Sequence, residues 1–204
     1  MSEMLTIRND TDLLEEEEHH SLRGREFGFW LFLMGDAVIF ALLFATYVVL
    51  SGNSAAGPTS QQVFDLSHTA IETALLLVSS LTFGIASLAM DKGHGRAVIL
   101  WLLITLGLGL GFLVMEVLEF RGMILQGAGP DVSGFLSAFF TLVGMHGAHV
   151  AMGSVGILVM IGQVMTKGLT LPVRSRLNRL GLFWHFLDIV WIGIFSVVYL
   201  PGVM

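Results

Sequence analysis

Five stretches of this chain are apolar over a length that globular proteins seldom need. They run over Phe27–Leu50, Thr69–Met90, Ala97–Glu119, Ser133–Met165 and Leu180–Leu200. Roughly 20 helical residues cross the hydrocarbon of a bilayer. A transmembrane barrel strand would be about half as long, with polar residues at alternate positions. These runs are near-continuously apolar, so the strand reading fails. In lipid the backbone must satisfy its own hydrogen bonds, and a helix does this within one segment. The chain therefore reads as an all-α integral membrane protein of five transmembrane helices. A polar acidic tail, residues 1–26, precedes a transmembrane domain over 27–204. The fourth stretch is longer than a bilayer requires, so it is expected to tilt or project beyond the hydrocarbon.

Composition agrees and removes whole classes of chemistry. Charged residues make up 13% of the chain, against about a quarter in soluble domains. There are no cysteines, which excludes disulfides, thiolate zinc sites, iron–sulfur clusters and covalently attached c-type haem. The net charge of −6 owes much to the tail, where Glu15 to Glu18 are consecutive and His19 and His20 follow. That run reads as a solvated acidic terminus in preference to a metal site, and it gives no support for a nucleic-acid partner. The tail has no basic segment leading into a short apolar core, so it is not read as a signal peptide.

The basic residues set an expected direction. Arg8, Arg23 and Arg25 lie in the tail, Lys92 and Arg96 in the second-to-third connection, and Lys167, Arg174, Arg176 and Arg179 in the fourth-to-fifth. Those segments share one side of the membrane and hold nine of the ten basic residues, leaving only Arg121 opposite. The positive-inside rule then places the N-terminus in the cytoplasm and the C-terminus outside. All four prolines, Pro58, Pro130, Pro172 and Pro201, fall in connections or at the end of the last span.

Ionisable residues inside the spans are the candidate site. They are Asp36, Glu72, Glu116, Glu119, His146, His149, His185 and Asp188; such residues are costly in lipid and by default mark function. Glu116–Glu119, His146–His149 and His185–Asp188 are spaced i, i+3, so each pair shares a helix face. A metal site in the bundle and a proton relay are both open readings. Depth weighs against a single metal centre: the Glu116–Glu119 and His185–Asp188 pairs are expected roughly 10 Å or more apart along the membrane normal. His146 and His149 share one helix and cannot clamp a haem from both faces. The plainest reading is that these side chains tie helices together by hydrogen bonds, with a neutral His185 donating to Asp188. Gly107–Gly111, Gly144–Ala148 and Gly147–Ala151 are small-xxx-small pairs, which let backbones approach closely. Gly144 and Gly147 are expected to clear room beside the His146 imidazole.

Several segments carry a resemblance. "WHFLDIVWIGIFSVVYL", "TLVGMHGAHVAMGS", "ETALLLVSSLTFGIASLAM" and "LGFLVMEVLEF" followed by "GPDVSGFLSAFF" resemble subunit III of the haem–copper respiratory oxidases. "FGFWLFLMGDAVIFALLFATYVVL" opens the membrane part directly, giving five helices, which is similar to the quinol-oxidising, cytochrome bo-type branch; the cytochrome c branch typically carries two more helices first. Asp36 stands where that other branch usually has glutamate. The resemblance implies a cofactor-free accessory subunit of a proton-pumping ubiquinol oxidase in the bacterial inner membrane. Haem and copper would reside in the catalytic subunit I, with subunits II and IV and membrane phospholipid as further partners. It implies no catalytic, cofactor-binding or metal residues in this chain. Asp36, Glu72, Glu119, His146, His149, His185 and Asp188 are then candidate structural, lipid-contacting or proton-support positions. Two alternatives stand beside it: subunit III of a cytochrome c oxidase, and an autonomous proton or ion transporter using the spread of carboxylates.

Overall fold

A computed structural model describes the backbone of residues 2–52 and 66–203 and the side chains of 24, 26–52 and 67–201. Among the described residues all regular structure is helical. The elements are α1 (Ser2–Leu50), α2 (Leu66–Asp91), α3 (Gly95–Leu125), α4 (Gly134–Lys167) and α5 (Leu171–Ile194). A π-helical turn, Phe195–Tyr199, follows, and then a short α6 (Leu200–Val203). Five segments are long and apolar enough to span a membrane: Glu26–Leu50, Ser67–Asp91, Gly95–Leu125, Gly134–Lys167 and Leu171–Tyr199. The five-span reading stands.

The boundaries differ from those expected. α1 runs back to Ser2 through the acidic tail, whose run Glu15 to Glu18 with His19 and His20 lies outside the described side chains. α3 continues past Arg121 to Leu125. α5 starts at Leu171, not Leu180, with proline in its first turn. Proline is preorganised for that position, where its missing N–H would be unpaired anyway. Elsewhere the ends are chemically marked. Ser133 caps α4 by accepting from the Leu136 N–H at 3.2 Å. Gly168 ends the same helix at φ +67°, a left-handed conformation that costs glycine little.

The chain divides into two units, Met1–Ala37 and Val38–Met204. The first is the N-terminal part of α1. In the second, α2 packs on α3, α3 on α4, α4 on α5, and α5 returns to α2, closing a ring of four helices. Helices in lipid gain no hydrophobic drive to associate, so close packing and polar contacts must hold them. The packing here is side chain into glycine. A Cβ at Gly109 would lie 2.8 Å from the Trp184 ring, and one at Gly153 would lie 3.0 Å from it. The indole thus threads between α3 and α4. Gly181 admits Phe83 in the same way and Gly156 admits Leu180. The expected GxxxG backbone contact does not form: a Cβ at Gly107 would meet nothing within 4 Å, and one at Gly111 only the end of Leu75.

Candidate functional site

Three polar groupings occur at different levels of the bundle, all within the second unit. The first gathers near the end of α5. Glu72 on α2 is fully buried and Glu116 on α3 nearly so. With Glu119 they lie close enough to act on one another electrostatically. Glu72 faces His68 one turn back at 3.5 Å. Glu119 accepts a hydrogen bond from the Tyr199 hydroxyl at 3.2 Å. Tyr199 closes the π-helical turn, whose wider winding alters which side of the helix it faces. Beside this group Trp191 donates to the Thr73 hydroxyl at 3.0 Å.

The second grouping is aromatic. His146 has no exposed surface, and neither ring nitrogen has a hydrogen-bond partner. Its ring lies against Trp191, with centroids 5.2 Å apart and planes inclined by 31°. Phe112 meets it edge-on at 5.8 Å. Hydrogen bonding was the expected role for this residue, and packing replaces it. The clearance at Gly147 likewise serves another group: a Cβ there would collide with the Glu116 carboxylate. His149, one turn on, approaches the Met145 carbonyl with Nδ1 at 2.7 Å and packs against Phe40 at 5.2 Å.

The third joins α2 to α5. Ser80 Oγ and His185 Nδ1 are 2.6 Å apart. The same hydroxyl bears on the Asp188 carboxyl, at a geometry short of a full hydrogen bond. His185 therefore does not donate to Asp188 as expected. A serine on the neighbouring helix takes the imidazole, and Asp188 lies buried behind it. At about the same level Trp184 donates to Ser79 at 3.0 Å, and nearer the Lys92 end Thr82 and Thr105 share a hydrogen bond at 2.8 Å. Asp36 lies on α1 in the first unit.

Sequence reasoning missed the hydroxyl partners Thr73, Ser79, Ser80 and Thr82. Their signal was present, since small polar residues recur along α2 in an otherwise apolar run, but ionisable groups drew the reading. Among the described residues no three of His, Asp and Glu converge in a geometry that could hold a metal ion.

These features define a class: a multi-pass helical membrane protein in whose second unit several intramembrane polar side chains, among them Ser80, His185, Thr82, Thr105, Trp184 and Trp191, meet partners on neighbouring helices. The family described as "Cytochrome c oxidase subunit III" matches residues 6–203. The cytochrome bo(3) ubiquinol oxidase subunit 3 of Pseudomonas aeruginosa is 50% identical over 189 residues, which are 93% of this chain and 90% of that one. The protein of the same description from Pseudomonas putida is 50% identical over 186 residues, 91% of this chain and 90% of the relative. The cytochrome c oxidase subunit 3 of Alkalihalophilus pseudofirmus is 44% identical over 189 residues, 91% of this chain and 92% of its own. The chain belongs to the subunit III family of the haem–copper respiratory oxidases. With its five spans and bacterial relatives, it is a multi-pass protein of the bacterial inner membrane.

Proposed function

We propose that this chain is the cofactor-free third subunit of a proton-translocating terminal oxidase that oxidises ubiquinol and reduces oxygen to water. Haem and copper sit in the catalytic subunit against which it packs, with subunits II and IV alongside. The observation that carries the reading is the half-identity to two ubiquinol oxidase subunits over nine-tenths of both chains. The geometry supports it, because the buried imidazoles and hydroxyls are engaged in packing and in contacts between helices. Asp36, Glu72, Glu119, His146, His149, His185 and Asp188 are assigned to support: they hold the bundle, its lipid and its partner, and they carry no electrons. The N-terminus is cytoplasmic and the C-terminus periplasmic.

The test is gentle extraction from the native membrane. The chain is expected to copurify in stoichiometric amount with a haem-bearing polypeptide, in a complex that consumes oxygen with ubiquinol. Repeated isolation of the folded chain alone would overturn the reading, and so would pigment or ion flux from the pure chain. One observation favours a second reading, the relative named as a cytochrome c oxidase subunit. Oxygen consumption by the same complex with reduced cytochrome c, and none with quinol, would select it.

A further inference from the structure

His185 lies at the midpoint of its span, Leu171–Tyr199, and Ser80 one residue past the midpoint of Ser67–Asp91. Neither is sealed inside the bundle. Both are half-buried, and His185 Nε2 is not among the enclosed side-chain atoms. The imidazole stands in a row of exposed apolar residues on α5, Leu182, Ile189 and Ile192, spaced three and four residues apart around it. On α2, Leu77, Leu81 and Leu88 are exposed with the same spacing, and Ser80 borders that row. Between Leu81 and Leu88 the row passes Gly84, where a Cβ would meet nothing within 4 Å. The Ser80–His185 contact and the packing of α2 on α5 set the two rows side by side.

Alternating three- and four-residue spacing is how one helix presents a seam to another, and paired seams on adjacent helices form a groove for a third. Acyl chains fill apolar grooves, but they offer nothing to an imidazole within the apolar part of a span, where an unsatisfied polar group is costly. A small residue in the seam permits close approach and a polar one anchors the register. From this juxtaposition we propose that the α2–α5 groove docks a transmembrane helix of another subunit, which presents a hydrogen-bonding side chain to His185 Nε2. This rests on the subunit reading above and deepens it by naming the face through which the partner binds.

The experiment places a photoreactive amino acid at Leu81 or at Ile189 of the full chain in its native membrane. Val155 and Leu158, exposed on α4, serve as controls. The expected result is a covalent adduct from Leu81 and Ile189, but not from the controls, that maps to a transmembrane helix of a second polypeptide. His185→Phe lowers its yield about three- to tenfold, the equivalent of one interhelical hydrogen bond, and His185→Gln, which keeps a donor, restores it. Should His185→Phe fail to accumulate, His185→Leu set against His185→Gln gives the same comparison. Adducts to lipid alone or to another copy of this chain would overturn the proposal, as would a yield indifferent to residue 185. If a haem-bearing polypeptide copurifies but is reached only from Val155 and Leu158, this face is wrong and the subunit reading stands. If the groove captures a helix but no haem protein ever accompanies the chain, the face stands and the oxidase reading falls.

Discussion

At the scale of the residue, Trp184 shows how a bundle in lipid is held. Its ring lies within about 3 Å of where Cβ atoms at Gly109 and Gly153 would stand, and its indole N–H donates to Ser79. One side chain therefore joins α2, α3 and α4 to α5. The slot it fills makes a prediction that distinguishes glycines two residues apart on one helix. Gly109→Ala forces a methyl group into the indole and is expected to destabilise the protein by about 1–3 kcal/mol, the usual cost of overpacking. Gly107→Ala meets nothing within 4 Å and should be neutral or slightly stabilising, because alanine favours a helix interior over glycine. Thermal or detergent-induced unfolding of the two variants in parallel checks this. Equal stabilities would mean that the indole is not wedged between those helices.

At the scale of the element, the π-helical turn is the irregular piece. Phe195–Tyr199 carries one more residue than an α-turn would, and such turns often mark function. Here it accompanies the bond from Tyr199 to Glu119. Deleting Ser196, which is exposed and bonds only to the Ile192 carbonyl, should restore α-winding and turn Tyr199 away by about 100°. The deletion is expected to cost more than Tyr199→Phe, which forfeits only one bond of about 0.6 kcal/mol. Unfolding measurements on both variants check it, and a deletion no worse than Tyr199→Phe would show that the turn positions nothing. No sequence rule applied here predicts that turn. The five spans were legible because hydropathy over 20 residues is a strong signal. Their ends were not: α5 begins among arginines that hydropathy discounts, although Pro172 in its first turn marks a start. Which polar groups would meet was only half legible. The i, i+3 spacing placed His185 and Asp188 near one another, but the rotation of α2 decides that Ser80 takes the imidazole. That rotation follows from the packing of the whole ring.

At the scale of the whole molecule, the orientation we propose rests on charge. Arg174, Arg176 and Arg179 belong to the first turns of α5, with Lys167 closing α4. The four therefore flank the α4–α5 connection at the ends of the two helices. A reporter active only in the periplasm is expected to work when fused within the connection 126–133 or after Pro201, and to be silent at Lys92–Gly93. Each basic residue near a lipid surface contributes about 1 kcal/mol to retention on the cytoplasmic side. Replacing all four with glutamine, while adding lysines to 126–133, removes most of the bias that holds the last two spans. Activity should then appear in a reporter placed within the α4–α5 connection in a measurable fraction of molecules. A wild-type reporter active at Lys92–Gly93 would invert the orientation and put Glu72, Glu119 and Tyr199 at the cytoplasmic end. The opposite result leaves that group at the periplasmic end, with the paired Ser80 and His185 between it and the cytoplasmic ends of the helices.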